Sequence, residues 1–501
     1  MEALLTGVYA ALDPLNIAFV ALGVVLGIVV GAIPGFSAPM AIAIGVPLTY
    51  AMNPVSAIAF LLGVHKGGEY GGAITSILIN TPGEVSSALT ALEGYPLARQ
   101  GKPRKALMMS LYASVSGDVF ADLVLIVSAA PLAVLALRMG PAEILGVLVF
   151  SFAFISSFLG RSLLRGLVAL SAGMLLATIG LDPETGRERF TFGLLELQDG
   201  LPLIAIAIGV LVLGEVLFQI ETYFHDRAAD RHEARVALGR ADDRVSWQEL
   251  KTSAPAILRG SMIGTAVGAL PGLGASVAAF LAYGYERRVS KTPERFGTGR
   301  LEGLAAIESA NNAVIGASLI PLLTLGIPGS ATAALIVGAF LIHGVTPGPF
   351  VFAENPEIVY GLFVSLMLAN LINLVVGNVG LRFFAMLLVI PRRIIVSAAA
   401  VLCLTGAYIS AGSMFAVAVM LIFGVVGYFM RRFDFPYIVL LIGFILGPMF
   451  ERALRHTVIL FDGPVRLVVD HPLLPLLVGL GVVAAWRGVR ASRSRGDQTV
   501  P

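Results

Sequence analysis

The sequence predicts an all-α polytopic membrane protein with about 10–12 transmembrane helices plus re-entrant or broken helical hairpins. Composition carries most of that prediction. Of 501 residues, 57% are hydrophobic and 13% charged, where a soluble domain carries about 25% charged residues. Mean hydropathy is +0.88. The 56 glycines and 27 prolines lie within this apolar background, a combination that membrane helices tolerate. A soluble enzyme, a disordered scaffold and a secreted disulfide module are excluded. With 34 basic and 32 acidic residues the formal charge is +2, so nothing suggests nucleic-acid binding. The single cysteine, Cys403, excludes an internal disulfide and a cysteine-based zinc cluster.

Runs of the roughly 20 apolar residues that a membrane helix needs lie near 16–33, 107–137, 141–158, 163–180, 201–222 and 313–327. Others lie near 329–345, 357–381, 394–411, 413–430, 436–450 and 470–486. Stretches 36–51, 55–80 and 260–285 are apolar but read as broken or too short for simple spans. The first twenty residues contain no Lys or Arg, so no basic n-region of a signal peptide is read and no cleavage is expected.

Three domains are read: a first membrane repeat at 1–224, a polar linker at 225–259, and a second repeat at 260–501 with extra C-terminal helices and a basic tail. The linker carries Arg227, Arg231, Arg235, Arg240, Arg244, Lys251 and Arg259 among nearly as many acids. It reads as a solvated helical connection on the cytoplasmic side, where short basic loops are retained. The tail, with Arg487, Arg490, Arg493 and Arg495, reads the same way. Neither Lys251-Thr252 nor Lys291-Thr292 follows the glycines of a Walker A loop, so no ATPase function is expected.

The halves echo each other. Residues 27–35 read GIVVGAIPG and 264–272 read GTAVGALPG. Residues 79–83, INTPG, pair with 325–329, LGIPG. Apolar segments broken at corresponding places in two halves point to a transporter site. The first Pro-Gly element, 16–51, has no basic flank before Lys66; the second, 260–285, lies between Arg259 and Arg287, Arg288 and Lys291. Basic residues at both ends make the second element a cytoplasmic hairpin and the first its counterpart from outside, which is inverted topology. A continuous kinked span is the alternative.

Proline removes a backbone donor and glycine permits unusual dihedrals. A break at membrane depth therefore presents half-helix ends. Their N–H groups suit an anion, and freed carbonyls with hydroxyls suit a hard cation. Candidate substrate ligands are Asn80, Thr81, Pro82, Gly83, Asn311, Asn312, Gly326, Pro328, Gly329, Ser330 and Thr332. Ser86 and Ser87 follow the first of these breaks, and Asn311-Asn312 are read as one to two turns before the second. Candidate cation ligands are Pro34, Gly35, Ser37, Pro271, Gly272 and Ser276, and the two assignments are open to reversal. For the serines and Thr332 the plainer reading is that small polar residues let helices pack closely.

Acids inside apolar runs are weighed separately. Asp118 and Asp122 lie one turn apart, and Glu215 lies within 201–222; each is a proton-relay or ion-site candidate, or an interfacial or protonated residue. Glu69, Glu84 and Glu308 flank the breaks, while His65 and His343 read as packing groups. His232-Glu233-Ala234-Arg235-Val236 lacks the second histidine of a zinc protease, and no TVGYG filter is present. Ser116-Gly117-Asp118 only partly matches an intramembrane aspartyl-protease signature, with Val115 where a glycine is expected.

These motifs resemble the large membrane subunit, the TctA-type permease, of tripartite tricarboxylate transporters. The matching words include GAIPG at 31–35, PLT at 47–49, NPVSA at 53–57, YGGAITSILINTPGE at 70–84 and EGYPLARQG at 93–101. In the second half they are PGLGAS at 271–276, PERFG at 293–297, ESANN at 308–312, PLLTLGIPGSATAA at 321–334, His343-Gly344 and Pro347-Gly348-Pro349. Phe36-Ser37 departs from the pattern, where the family often has a second glycine. The resemblance implies a bacterial inner-membrane secondary transporter driven by sodium or protons. It would work with a small membrane subunit and a periplasmic substrate-binding protein for citrate-like or other carboxylates. No ATPase subunit and no cofactor beyond sodium as a candidate coupling ion are expected.

The combined expectation is a permease of two inverted repeats, elevator-like, importing a tri- or dicarboxylate by Na+ or H+ symport. An intramembrane aspartyl enzyme using Asp118 and Asp122, or a passive anion channel, is the alternative.

Overall fold

The computed structural model describes residues 2–33, 35–84, 86–158, 162–225, 243–387, 392–460 and 469–483. Pro34, linker residues 226–242 and the tail from 484 onward lie outside the described residues. Helices α1 (Glu2–Leu12), α2 (Pro14–Gly31) and α3 (Ala38–Gly45) precede the long α4 (Pro54–Ile79). Next come α5 (Thr90–Arg99), α6 (Pro103–Ala136), α7 (Pro141–Phe158) and α8 (Leu163–Leu176). A short antiparallel pair, β1 (Gly180–Leu181) and β2 (Glu188–Arg189), follows. Then α9 (Leu203–Ala207) and α10 (Gly214–His225) flank a π-helical stretch at Ile208–Leu213. The second half brings α11 (Trp247–Gly268), α12 (Gly274–Val289), α13 (Leu301–Ala317), α14 (Leu319–Leu325) and α15 (Ala331–Ile342). The chain continues through α16 (Val351–Glu354), α17 (Pro356–Leu387), α18 (Arg392–Ala411), α19 (Met414–Arg432) and α20 (Tyr437–Leu460).

The protein is therefore all-α, and among the described residues 7 helices are long and apolar enough to cross a membrane. Shorter apolar helices, including Ala38–Ala51 and Ala331–Ile342, accompany them. One expectation changes. Segment 55–80 is not broken internally: α4 runs unbroken for 26 residues, and its break falls at Asn80. A glycine inside a helix costs about 1 kcal/mol relative to alanine, and in α4 close packing offsets that cost.

The chain divides into two compact units. The first comprises residues 1–133, 222–270 and 274–398; the second comprises 134–221, 271–273 and 399–501. In the first unit α2 packs along α4, and α11 packs along α13. Both pairs use small residues at four-residue spacing, which brings backbones together where lipid supplies no hydrophobic drive. A Cβ on Gly27 would lie 2.3 Å from the Val64 carbonyl oxygen, and one on Gly264 would lie 2.3 Å from that of Ala310. Arg259 makes two hydrogen bonds to Glu286, of 2.8 and 2.7 Å. The middle of α11 is thereby tied to the last turn of α12.

The helix stops are local. α4 ends at Asn80 and α14 at Gly326, both in the left-handed region, with φ of 54° and 73°. Gly and Asn are the residues that accept this conformation, and it turns the chain out of the helix.

In the second unit α20 packs on α8 and α7, and α19 packs on the π-helical stretch. A π-helix displaces backbone carbonyls from the α-helical ladder. Arg431 collects two of them, Val210 O at 2.6 Å and Leu211 O at 2.8 Å, and pairs with Glu215 at 2.9 Å. Glu215 is thus bound to an arginine. The β1–β2 hairpin is pinned by Arg455, which bonds Asp182 at 2.8 Å, and by Arg189, which bonds Glu451 at 2.7 Å.

Two predictions follow from these contacts. Gly27→Ala forces the α2–α4 pair apart and costs about 1–3 kcal/mol, as overpacking does. Gly284→Ala on α12 meets nothing within 4 Å and stabilises by up to about 1 kcal/mol through helix propensity; thermal unfolding of purified protein separates the two. The second concerns pH. The hydrogen bond from Arg455, with the amides of Glu184 and Thr185, holds the Asp182 carboxyl well below its ordinary range. A depressed acid contributes fully above its unfolded value of about 3.9 and loses that contribution as pH falls through the folded value. The Tm difference between wild type and Asp182→Asn should therefore be constant from neutral pH to about 4 and shrink below it.

Candidate functional site

Within the first unit the segments that follow the breaks meet crosswise. α3, after the first break, packs on α15, after the fourth. Ser86–Ala88, after the second break, packs on α12, after the third. α13 also packs on α4 and α5. The second Pro-Gly of the first half sits on the end of α2, and that of the second half on the end of α11. A Cβ on Gly83 would lie 2.3 Å from the Gly31 carbonyl oxygen, and one on Gly329 would lie 2.8 Å from that of Gly268.

The candidate substrate residues occupy unequal environments. Asn80 is exposed, while Thr81 and Pro82 are half-buried and Gly83 is buried. Thr81 Oγ1 donates back to the Ile79 carbonyl at 3.3 Å. Ser330 caps α15, its Oγ accepting from Ala333 N–H at 3.1 Å and lying 3.4 Å from Ser318 Oγ. Gly326 and Ser330 are half-buried; Pro328, Gly329 and Thr332 are buried. Asn311 and Asn312 are wholly buried in α13. The helical path runs on through α14 to Leu325, so they lie about four turns before the break, not one or two. Asn311 Nδ2 donates to the Glu69 carboxylate at 3.1 Å, and Asn312 Nδ2 donates to Ser114 Oγ at 2.9 Å and to the Glu308 carbonyl at 3.1 Å.

Of the candidate cation residues, Gly35 and Gly272 both stand at φ 86°. Ser37 and Ser276 are half-buried, and Pro271 and Gly272 are buried. Pro271–Leu273 groups with the second unit, so the structure does not join it to Gly35 and Ser37.

Acids line the second break. Glu84 accepts from Ala38 N–H, the first amide of α3, at 3.4 Å. Glu69 accepts from Ser86 Oγ at 3.1 Å and interacts electrostatically with Glu84 and Glu308. Glu308 accepts from Thr90 Oγ1, and from Ser114 Oγ at 3.0 Å. His65 lies 3.8 Å from Glu69, and His343 lies 3.4 Å from Thr49 Oγ1. Beside these acids a cation would be held, and a carboxylate would be held only together with a cation that offsets their charge.

Two arrangements were not foreseen from the sequence. Lys66 Nζ lies 2.9 Å from Asp118 Oδ1 and 2.9 Å from Asp122 Oδ2, all three side chains fully buried. A lysine in an apolar helix calls for a counter-charge, and that was the available signal. Lys66 thus stands between the two aspartates. The other is Glu93, 0% exposed. It accepts from the amides of Gly297, Gly299 and Arg300 at 2.6, 2.9 and 2.7 Å, and from Tyr283 Oη at 2.9 Å. Glu93 thereby fastens α5, in the first half, to the loop that leads into α13.

Comparison with known proteins agrees with these motifs. A family model described as the tripartite tricarboxylate transporter TctA family matches residues 17–442. A protein of Agrobacterium vitis, described as an uncharacterized 52.8 kDa protein in the TAR-I ttuC' 3' region, is 36% identical over 494 residues, covering 98% of this chain and 97% of its own. A second from Agrobacterium vitis, described as an uncharacterized protein in the TAR-II ttuC' 3' region, is 38% identical over 236 residues, covering 47% of this chain and 98% of its own. No solved structure matches the chain.

Removing the ammonium leaves two buried carboxylates facing each other. Lys66→Met should therefore cost about 3–5 kcal/mol, as loss of one partner of a buried ion pair does, read as a lowered Tm of the purified protein.

Proposed function

Because the chain belongs to the tripartite tricarboxylate transporter TctA family, a family of transporters and not of enzymes, we propose that it is the permease subunit of a binding-protein-dependent secondary transporter. Its substrate is a tri- or dicarboxylate, imported with a coupling cation, Na+ or H+. The observation that carries this reading is the crosswise meeting of the segments after the breaks, α3 on α15 and Ser86–Ala88 on α12. That is the relation expected of two inverted repeats about one midplane site. The like φ values at Gly35 and Gly272, and the like seating of Gly83 and Gly329, also support it.

In this reading the Asn80–Gly83 and Gly326–Thr332 loops hold the carboxylate groups. The N-terminus of α15 contributes its amides and partial positive charge. Carbonyls of the 34–35 and 271–272 loops, with Ser37 and Ser276, hold cations. The acids Glu69 and Glu84 beside the first half's breaks favour a cation on that side. Asn311 and Asn312 orient acids and do not themselves touch substrate. Rigid, elevator-like movement of the break-containing unit against the remaining helices gives alternating access. A small membrane subunit and a periplasmic binding protein complete the system in the bacterial inner membrane.

Proteoliposomes holding the chain with its small membrane subunit, supplied with the binding protein and given a sodium gradient alone or a pH gradient alone, test this. One gradient should drive carboxylate accumulation. Thr81→Trp and Ser330→Trp should abolish it while the protein remains inserted. Flux without accumulation under either gradient, or normal uptake by both variants, contradicts the reading.

A further inference from the structure

The cluster of Lys66, Asp118 and Asp122 lies outside the loops discussed so far. All three residues are 0% exposed, with one ammonium 2.9 Å from an oxygen of each carboxylate. In their ordinary charge states they carry two negative charges against one positive. The outer oxygens, Asp118 Oδ2 and Asp122 Oδ1, have no hydrogen-bond partner. Asn370, on α17, donates to Asp122 Oδ2 at 2.7 Å, and its own Oδ1 has no partner.

A second amide enlarges this set of acceptors. Asn373 is 0% exposed, and neither its Nδ2 nor its Oδ1 has a partner. Residues 370, 373 and 377 share one face of α17 by helical periodicity. At one end of that face Asn370 reaches Asp122 on α6. At the other, a Cβ on Gly377 would meet Leu111 of α6 at 2.7 Å and Tyr70 of α4 at 3.1 Å. The face therefore looks into the seam between α4 and α6, and Asn373 lies on it between Asn370, which reaches Asp122, and Gly377. On the far side a Cβ on residue 316 of α13 would lie 2.2 Å from Asp122 Oδ1; only glycine admits the carboxylate there.

We propose that this cluster binds one exchangeable monovalent cation, held by Asp118 and Asp122 with the oxygens of Asn370 and Asn373, that couples to the transport cycle. An uncompensated charge away from water is costly, and one bound cation removes it. Carboxylate and amide oxygens are the ligands a hard cation takes. Sodium uses several of them, and a proton uses one carboxylate oxygen; each adds the same single charge. The site is separate from the 34–35 and 271–272 loops. Its coupling role rests on the transport reading above.

Few other charges face it. α4 presents Lys66 and, next to it, His65, while α2 carries no ionisable side chain. α6 presents the two aspartates; α13 presents Gly316 and, through Ser114, Glu308; α17 presents the asparagines.

The test is thermal unfolding of the purified full chain in NaCl against choline chloride at one pH, and across pH without sodium. Wild-type Tm should rise with sodium or with falling pH, and the arm that responds identifies the ion. Asp122→Asn leaves a neutral Lys66–Asp118 pair, imitating the loaded state. It should fold cooperatively with a reduced cation-dependent shift, and Asp118→Asn should do the same. The proposal is overturned if both variants keep the wild-type shift, if wild type responds to neither ion, or if both variants fail to fold. Carboxylate uptake by wild type from the same preparation separates the two readings. Absent uptake contradicts the transporter, whereas uptake with an unaltered shift in Asp122→Asn contradicts the cation cluster alone.

Discussion

Backbone groups freed at membrane depth must be covered by protein or by a polar cavity, since each one left bare in hydrocarbon costs several kcal/mol. In this chain glycine lets the main chain pack against such helix ends. Gly83 lies against the Gly31 carbonyl and Gly329 against the Gly268 carbonyl, each approach closer than a side chain would allow. The same constraint explains the glycines of α2, α4 and α11, which let helices meet backbone to backbone. Because the breaks are held by main-chain contact, the hydroxyls beside them, Thr81 and Ser330, are left to other uses. Their present hydrogen bonds are local, Thr81 to the Ile79 carbonyl and Ser330 as the cap of α15.

The buried acids divide by how fully they are satisfied. Glu93 receives three amides and a phenol, an arrangement that stabilises a carboxylate without any ion and acts as a fastening. Glu308 is met by hydroxyls of Thr90 and Ser114. Asp118 and Asp122 share one ammonium and keep an unpartnered oxygen each. In a low-dielectric interior such an imbalance is costly, and a carboxylate retained in that condition marks exchange with a mobile charge.

Much of this was legible in the sequence, because proline, glycine and long apolar runs act locally. The stops at Asn80 and Gly326, the Pro-Gly turns with Gly35 and Gly272, and the 34-residue α6 across segment 107–137 all follow from residues within a few positions. The interior of α4 is illegible for the converse reason. Gly63, Gly67 and Gly71 face α2, a partner that only the folded chain supplies. Asn311 and Asn312 read as neighbours of the break, but Asn311 donates to Glu69 and Asn312 to Ser114 Oγ and the Glu308 carbonyl. The partner of Asp118 lies 52 residues away on another helix, and no periodicity reveals that pairing. Glu93 reads as part of an ordinary polar turn, since its ligands are amides about two hundred positions downstream.

The central claim is that the loops around Thr81 and Ser330 line the substrate path. With a single cysteine in the chain, Cys403, and that one buried, replacing it by serine gives a clean background for cysteines placed singly at the two loop positions. The rate of their labelling by a small thiol reagent should fall when a transported carboxylate and its coupling cation are added together. Labelling that proceeds at the same rate at both positions, with and without them, contradicts the account.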